Sequence, residues 1–292
     1  MSEVIKSEKI INGLKPNLTE VKLTIVTINY NNNDGLIKTI ESIVNQTWTD
    51  FEFIIIDGGS TDESLFTIEK YKNHINFWVS EKDKGVYDAM NKGIKLARGT
   101  FVNFMNSGDS YFSNSILKEI HQKFNSSNSI LYGDSFYFND DGYDKIEKTP
   151  SKLNFAHFFT GGINHQASFI RTELFSKYFM YNLEYKICSD WEFFIYMLCK
   201  KNEPYEHLEK TICNYDFSGI SANPNNLDTY HKERETIINK HFGLFYEDYR
   251  YYIKTEDRSV RKLLRLQENK ILWIIIKFCK YLFLLVLPKN KF

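Results

Sequence analysis

The amino-acid sequence predicts an α/β fold built on a doubly wound, mostly parallel sheet. Short runs of β-branched and aromatic residues, typical of buried strands, alternate with amphipathic helical segments between about residues 23 and 124. This alternation is typical of parallel strands joined by crossover helices. At 292 residues the chain is long enough for one large domain with an appended segment. We therefore expect a central sheet flanked by helices, followed by a helical C-terminal extension.

The composition narrows the classes of function. Lysine plus arginine residues number 37, and so do aspartate plus glutamate, so the chain has no general attraction for nucleic acid. The four cysteines form no CxxC pair, which favours a reduced, cytosolic location. Residues 1–20 mix both charge signs without an apolar core, so we expect a loosely held arm and not a secretory signal.

Three strands predicted in the first half of the chain stop at polar residues. They are Leu23–Ile28, Phe51–Ile56 and Thr100–Met105, which are followed by Asn29, Asp57 and the turn Asn106–Asp109. In open α/β sheets ligands bind at the carboxyl ends of the strands. We therefore expect these polar residues to form a ligand site at one edge of the sheet.

Asp57 precedes two glycines, Gly58 and Gly59, in a turn that leads into a helix. Its carboxylate suits hydrogen bonds from a nucleobase or ribose. The alternative is helix capping, which Ser60 or Asp62 can provide without it.

Gly85 lies just before another predicted helix, Tyr87–Ala97. A glycine before a helix N-terminus lets backbone donors approach a phosphate. Asp88 and Asn91 are the polar residues of this helix nearest the predicted site, so we assign them to ligand binding.

Asp109 is a single carboxylate at the end of a strand. A hard divalent cation binds oxygen ligands and keeps positions for water and phosphate, so one aspartate together with a diphosphate can hold it. A turn that caps the next helix is the alternative. The chain has no GxGxxG after its first strand and no GxxxxGK[ST], which argues against a dinucleotide dehydrogenase and a P-loop NTPase.

Four segments resemble the successive motifs of family 2 glycosyltransferases. They are TIVTINYN (Thr24–Asn31), IIIDGGSTD (Ile54–Asp62), DKGVYDAMNKG (Asp83–Gly93) and NSGD (Asn106–Asp109). The resemblance covers about residues 21–109, and it is specific because the four motifs follow in family order. It implies an inverting enzyme of the GT-A fold with a nucleotide-sugar donor, most like bacterial enzymes that build surface polysaccharides.

The resemblance also implies roles for the matching residues. Thr27 and Asn29 would lie beside the nucleotide, and Asp57 with Gly58 would bind the base, usually uracil. The ribose, diphosphate and donor sugar would be flanked by Gly85, Asp88 and Asn91.

Asp109 would coordinate Mn²⁺ or Mg²⁺ as the last acid of the family's DxD motif. This chain departs from that motif, because Asn106 takes the first acidic place and Gly108 the middle one. With fewer carboxylates, the nucleotide must contribute more of the metal's ligands.

In the second half, Asp190 begins a predicted helix that runs from Ser189 to about Lys200. Capping explains an acid at this position, since the helix dipole favours it. Sugar transfer to a hydroxyl, however, needs a base, and the resembling family places its base at a matching aspartate. We assign Asp190 as the base, with Glu192 as second choice.

Four further residues are open to both functional and structural interpretation. His165 and Gln166, on a predicted strand His165–Ile170, and Asp134 are assigned to the acceptor side, although each suits a structural role equally. His231 is a possible further metal ligand, with solvation on a polar helix as the alternative. The Phe217–Ser221 loop resembles a family loop that closes over the donor.

The predicted organisation is an arm (1–20), a GT-A domain (21–226) and a helical C-terminal region (227–292). The domain comprises a nucleotide-binding half, 21–110, and an acceptor half, 111–226. Near the C-terminus, the apolar run Ile271–Leu287 contains Lys277 and Lys280. As a helix it is about 26 Å long, short of a ~30 Å hydrocarbon core, and the lysines lie on one side.

We therefore expect residues 258–287 to form an interfacial segment that binds anionic lipid. The alternative is a helix packed on the catalytic domain or a partner chain. Together these features predict an inverting, metal-assisted glycosyltransferase at the cytoplasmic membrane face. It would transfer sugar from a UDP-sugar to a glycan or lipid-linked acceptor in surface-polysaccharide biosynthesis. Other candidates are a sugar nucleotidyltransferase, disfavoured by the missing glycine- and arginine-rich phosphate loop, and a non-catalytic nucleotide-sugar-binding scaffold.

Overall fold

A computed structural model describes residues 10–12, 21–138, 142, 144–217, 219, 224–255, 262, 265–266 and 268–286. The chain divides into two compact units, Met1–Ile237 and Ile238–Phe292. The predicted division into residues 1–20, 21–226 and 227–292 stays a prediction. Most of the Phe217–Ser221 loop lies outside the described residues. So do Arg258 and Arg261 of the predicted interfacial segment, residues 258–287.

The first unit contains a sheet of ten strands in its described part. The strands are β1 (Ile10–Asn12), β2 (Leu23–Asn29), β3 (Glu52–Asp57), β4 (Phe77–Ser80), β5 (Phe101–Phe104), β6 (Ser110–Tyr111), β7 (Ile130–Phe138), β8 (Asp144–Glu147), β9 (Ser168–Arg171) and β10 (Tyr205–Asp216). Their order across the sheet is β1-β4-β3-β2-β5-β9-β7-β10-β6, and β8 pairs with β7.

The helices of this unit are α1 (Asn33–Val44), α2 (Ser64–Tyr71), α3 (Val86–Leu96), α4 (Ile116–Ile120), α5 (Phe155–Thr160), α6 (Glu173–Lys177) and α7 (Ser189–Ile195). Helix α8 (Leu227–Phe242) begins in the first unit and ends in the second. The second unit also contains α9 (Tyr246–Thr255) and α10 (Lys270–Val286).

Strands β4, β3, β2 and β5 are parallel neighbours, and their register places Asn29 opposite Asp57 and Asp57 opposite Ser80. Every residue of β2 and β3 is buried, as expected for parallel strands covered on both faces. Strand β9 reverses the direction because it runs antiparallel to both β5 and β7. The predicted α/β class is confirmed, and the register brings the polar strand ends to one edge.

The apolar stripe of α1 explains how that helix is held on the sheet. Leu36, Ile40 and Ile43 are fully buried in the core that also contains residues of β2 and β3. Each such side chain contributes roughly 1.5–3 kcal/mol on burial. Helix α1 is therefore a firm support for the loops at the carboxyl edge.

Three local predictions differ from the structure. The strand predicted from His165 begins only at Ser168, because residues 164–168 form turns through Ala167 N–H to Asn164 O and Ser168 N–H to His165 O. The helix starting at Ser189 is α-helical to Ile195 and continues as a π-helix to Lys200. In the predicted arm, residues 10–12 pair with β4 and cover its edge.

Helix α10 agrees with the predicted C-terminal helix, with Leu287 outside the described residues. Several of its large apolar residues are exposed, including Ile271, Ile274 and Phe278. In the part of the chain that the structure describes, no helix combines the length and hydropathy needed to cross a membrane.

Candidate active site

Asp57, at the end of β3, is fully buried and accepts five hydrogen bonds. Its Oδ1 accepts from Asn29 Nδ2 (2.8 Å) and Ser60 Oγ (2.6 Å). Its Oδ2 accepts from Ser80 Oγ (2.6 Å) and from the N–H groups of Ser60 (2.9 Å) and Gly59 (3.2 Å). A carboxylate offers about four acceptor positions, so these donors saturate it. Asp57 thus holds three strand ends together, and direct contact with a base stays a prediction.

Asp83 is a second carboxylate at this edge that the sequence analysis did not assign. A Cβ placed on Gly58 would lie 2.9 Å from its Oδ2, so the Asp83 carboxylate stands directly over that turn. Its Oδ1 accepts from Gly85 N–H (3.1 Å). Partial burial raises the pKa of Asp83 because it removes water from the charged carboxylate. A hydrogen bond donated by a ligand would therefore stabilise this charge. Its signals in the sequence were its place two residues before Gly85 and at the start of the motif Asp83–Gly93.

Four buried polar atoms near the predicted donor positions have no hydrogen-bond partner among the described residues. They are Thr27 Oγ1, Asn29 Oδ1, Asn106 Oδ1 and Ser107 Oγ. Buried polar groups without partners cost free energy, so their concentration at one sheet edge indicates a site that a polar ligand completes. This location agrees with the predicted positions of Thr27, Asn29 and Asn106.

The turn that carries Asp109 is fixed to α1 through Thr39. Thr39 Oγ donates to Asp109 O (2.6 Å) and accepts from Gly108 N–H (3.1 Å). Gly108 has φ +106°, a backbone conformation that side-chain-bearing residues rarely adopt, which explains glycine at this place. The turn therefore presents the Asp109 side chain in a defined direction.

The Asp109 carboxylate is 4% exposed and lies beside a second acid, Asp216, at the end of β10. Burial raises the pKa of Asp109 to about 6, against the lowering effect of hydrogen bonds from Asp216 N–H (3.0 Å) and Gln166 Nε2 (2.9 Å). A Cβ placed on Gly108 would lie 3.5 Å from Asp216 Oδ2. Asp216 was not assigned from sequence, because the position of a strand end 107 residues away depends on sheet topology.

At the start of α3, Gly85 has φ +119° and open space around it, as a close approach to a ligand requires. Asp88 Oδ2 accepts from Lys84 N–H (3.0 Å), so this carboxylate stabilises the loop before the helix. The amide of Asn91 donates to Tyr181 O (2.8 Å) and accepts from Tyr181 N–H (3.0 Å). The described contacts make Asn91 a link to the segment before α7, and donor binding by Asp88 and Asn91 stays a prediction.

Asp190, in the first turn of α7, is the centre of a polar network. Its Oδ1 accepts from Tyr87 Oη (2.8 Å) and from Trp191 N–H (2.9 Å), and its Oδ2 lies 2.8 Å from His165 Nδ1. Burial acts to raise the pKa of Asp190, but the hydrogen bonds from His165, Tyr87 and the Trp191 N–H lower it below its usual value. Asp190 is therefore ionised at neutral pH.

His165 connects this network to the Asn106 turn, since its Nε2 lies 3.0 Å from Asn106 Nδ2. The structure thus brings together Asn106, Asp109, His165, Gln166 and Asp190 from distant parts of the sequence. Asp190 keeps 20% of its side chain exposed. Glu192 is only 1% exposed, which leaves Asp190 better placed to meet an acceptor.

Helix α8 supports the segment before Asp190. Glu233 accepts hydrogen bonds from Lys186 N–H (2.7 Å), Ile187 N–H (3.0 Å) and Cys188 N–H (2.9 Å). Its neighbour Arg234 stacks over the Trp191 ring at 4.2 Å. Sequence reasoning assigned neither residue, because a polar helix gives no sign of what it contacts.

Two predicted residues lie apart from the network. Asp134 accepts from His207 Nε2 (3.1 Å) and Thr149 N–H (3.0 Å), a structural arrangement between β7 and its neighbours. His231 is exposed on α8, with its ring against Tyr230. The acceptor role of Asp134 and metal binding by His231 stay predictions that these contacts do not support.

Comparison with known proteins now gives the family. Residues 24–188 match the family model of glycosyl transferase family 2. The chain belongs to this family. It is 31% identical over 196 residues to a PGL/p-HBAD biosynthesis glycosyltransferase of Mycobacterium bovis (strain BCG / Pasteur 1173P2), a match that covers 62% of this chain and 72% of that protein. It is 30% identical over 210 residues to an uncharacterized glycosyltransferase of Mycobacterium tuberculosis (strain CDC 1551 / Oshkosh), covering 68% and 77%.

Solved structures confirm the GT-A-like fold of this family 2 chain. Staphylococcus aureus TarS (residues 1–349) in complex with UDP matches with a TM-score of 0.58 and 21% identity, over 76% of this chain and 66% of that chain. Mannosyltransferase PcManGT from Pyrobaculum calidifontis, in complex with GDP-Man and Mn²⁺, matches with a TM-score of 0.55 and 10% identity, over 79% and 66%. This chain spans about two thirds of the length of these solved chains.

Proposed function

We propose that this family 2 member transfers a sugar from a UDP-sugar to a hydroxyl of a glycan or lipid-linked acceptor, with inversion. The observation that carries the proposal is the joining of Asp109 and Asp190 through the adjacent residues Gln166 and His165. A donor-side carboxylate and an ionised base are thereby held in one buried network. Such an arrangement suits a single displacement, in which leaving group and base act on opposite sides of the anomeric carbon.

For the nucleotide, we propose Asp83 as the residue that contacts the base. Asp57 is saturated by protein donors, whereas Asp83 has an oxygen over Gly58 and a raised pKa. The imide N–H of uracil would donate a hydrogen bond to the Asp83 carboxylate. The UDP and UDP-GlcNAc complexes of TarS support a uridine nucleotide, although identity to that protein is 21%.

The donor set also fits a hard cation such as Mn²⁺ or Mg²⁺. Asp109 shares its turn with Asn106 and Ser107, whose buried side-chain oxygens have no partner among the described residues, and Asp216 at the end of β10 lies beside it. Among the described residues no group of three or more His, Cys, Asp or Glu side chains is arranged to hold a metal. The diphosphate and water must therefore supply the remaining oxygens. When bound, the cation would stabilise the negative charge of the departing diphosphate.

The proposed chemistry then follows from the chain's own residues. The proton of the acceptor hydroxyl passes to the Asp190 carboxylate as the acceptor oxygen bonds to the anomeric carbon. The bond from that carbon to the diphosphate oxygen breaks, and its electron pair leaves with the nucleotide. Tyr87 and His165 keep Asp190 oriented and charged before the proton arrives. An α-linked donor would give a β-linked product.

The proposed setting is the cytoplasmic face of the membrane, in surface-polysaccharide synthesis. On α10 the exposed Ile271, Ile274 and Phe278 lie beside a side that carries Lys270, Lys277 and Lys280, which suits binding to an anionic interface. Co-sedimentation of the full chain with phosphatidylglycerol vesicles, and not with phosphatidylcholine vesicles, is expected. An Ile274→Glu/Phe278→Glu variant should stay in the supernatant, and equal binding by that variant would contradict the proposal.

The experiment that tests the function is a thermal-shift panel of nucleotides and nucleotide-sugars with and without Mn²⁺. UDP or a UDP-sugar at about 100 times Kd should stabilise the fold by roughly 2.7 kcal/mol, raising Tm by about 5–10 °C, and more with the metal present. A shift with GDP or dTDP compounds alone would overturn the uracil assignment. No shift with any nucleotide would overturn nucleotide-sugar binding at this site, and with it the proposed transfer.

A further inference from the structure

The adjacent residues His165 and Gln166 reach two different carboxylates. His165 Nδ1 lies 2.8 Å from Asp190 Oδ2, and Gln166 Nε2 donates to Asp109 Oδ2 at 2.9 Å. Both side chains are largely buried, at 13% and 4% exposure. The distance between the base and the donor turn is therefore set by one short segment of backbone.

Asn103 fixes that segment to the strand that leads into the donor turn. Its Nδ2 donates to Gln166 O (3.0 Å) and Ser168 O (2.8 Å), and its Oδ1 accepts from Tyr111 Oη (2.8 Å). Asn103 is fully buried in β5, three residues before Asn106. The segment and the donor turn thus share one rigid support.

His165 also contacts the donor turn directly through Asn106 Nδ2, 3.0 Å from Nε2. With the amide nitrogen of Asn106 facing Nε2, the ring carries its proton on Nδ1 and donates it to Asp190. Both ring nitrogens of His165 are then used in hydrogen bonds. A movement of the Asn106 turn would therefore shift the His165 ring and alter its hydrogen bond to Asp190.

We infer that His165 and Gln166 are positioning residues that couple occupancy of the donor turn to the orientation and charge of Asp190. The inference rests on the proposed roles of Asp109 and Asp190. A donor diphosphate that contacts Asn106 and Asp109 fixes the two side chains to which His165 and Gln166 are bonded. The donor thereby adds a constraint on the two side chains that orient the base, and His165 itself takes no proton from the acceptor.

Besides His165, three titratable groups that interact with Asp190 stay neutral in the working pH range. Burial raises the pKa of Tyr87, of Tyr181 and of the Cys188 thiol. Arg234 is charged but stacks on the Trp191 ring. A change in the titration of Asp190 in a His165 variant is therefore attributable to His165.

Two isosteric replacements separate the two contacts of the ring. In His165→Asn an amide N–H lies near the position of Nδ1, so the bond to Asp190 is kept and that to Asn106 is lost. In His165→Gln the amide reaches the position of Nε2, so the bond to Asn106 is kept and that to Asp190 is lost. The measurements are the pH profile of kcat/KM, UDP affinity by calorimetry, and Tm as a check on folding.

For His165→Gln we expect kcat/KM to fall about 10–100-fold and its acid limb to move to higher pH, because a lowering influence on the pKa of Asp190 is removed. UDP affinity should change by less than about twofold. His165→Asn should keep the acid limb of the wild type. An unmoved acid limb in His165→Gln would overturn the positioning of the base by His165.

The coupling is tested by a double-variant cycle. The loss of kcat/KM caused by Asn106→Ala should be about threefold smaller in the His165→Asn background than in the wild type. The reason is that His165→Asn has already removed the contact between Asn106 and His165. Equal losses in both backgrounds would overturn the coupling. Failure of the proposed function itself gives a different result, namely no transfer by the wild type, or full transfer by Asp190→Asn.

Discussion

The two buried carboxylates of the active site, Asp109 and Asp190, are shifted in opposite directions. Burial raises the pKa of Asp109 to about 6, although two hydrogen bonds oppose it. Burial acts on Asp190 in the same sense, yet its pKa lies below the usual value. The difference lies in the donors. Each accepts from one backbone N–H, but Asp109 is otherwise bonded to an amide, whereas Asp190 is also bonded to an imidazole and a phenol.

The comparison shows that the surroundings of two aspartates in one fold can stabilise their charges to different degrees. The negative charge of Asp109 is only partly compensated, and the neighbouring Asp216 opposes it further, so a cation would complete this side of the site. The charge of Asp190 is already compensated by groups of the chain itself. It is ionised at neutral pH, as its proposed role as the base requires.

The largest expected effect comes from removing the base. Asp190→Asn keeps the shape of the side chain and one acceptor oxygen for Tyr87 and Trp191, but it loses the acceptor for His165 and cannot take a proton, so kcat should fall about 10²–10⁴-fold. Initial rates with the donor identified by thermal shift measure this loss, and UDP affinity should remain that of the wild type. Turnover within tenfold of the wild type would exclude Asp190 as the base.

The next effect concerns stability, and it should have opposite signs at the two carboxylates. The folded-state pKa of Asp109 is raised to about 6 from an unfolded value of 3.8, so its charge destabilises the fold above pH 6 and this cost vanishes below about pH 3.8. Asp109→Asn should therefore stabilise the ligand-free fold at pH 7.5, by at most about 3 kcal/mol, and give no gain at pH 3.5.

At Asp190 the pKa is lowered, so its charge contributes stability above the unfolded value that is lost as the pH falls through the folded value. Asp190→Asn should thus be less stable than the wild type at pH 7.5. Urea unfolding of both variants at several pH values measures the two effects. Changes of the same sign in both variants would contradict the contrast between the two sites.

These two sites also show how far sequence reasoning reaches. The strand ends and the Asn106–Asp109 turn follow from local hydrophobic runs and turn residues, which act within a few positions. The base position at Asp190 followed from the family resemblance and a helix start. What the sequence could not give is the connection between them, because His165 lies 59 residues from Asn106 and 25 from Asp190.

The residues missed from sequence share the same cause. Thr39, Asp216 and Glu233 are ordinary polar residues of a helix, a strand end and a second helix until the tertiary structure brings them to a loop. Asp57 was assigned to binding of the nucleobase because it ends a strand in a segment that matches a family motif. Its saturation depends on Asn29 and Ser80 standing opposite it in the register of β2, β3 and β4. Register of this kind is decided between strands and not within one.

The smallest expected effect extends the comparison to Asp83, a third carboxylate whose pKa burial raises. Asp83→Ala should weaken UDP binding about 5–20-fold by removing one acceptor for the base, while Asp83→Asn, which keeps an acceptor oxygen, should lose only about twofold to threefold. Calorimetry with UDP measures both. Asp57→Asn is the matched control: its carboxylate is saturated by the protein, so the variant should lose stability in urea because buried donors lose their acceptor. If Asp83→Ala binds UDP as tightly as the wild type, Asp83 does not contact the uracil. Its carboxylate then stabilises the turn, as that of Asp57 does.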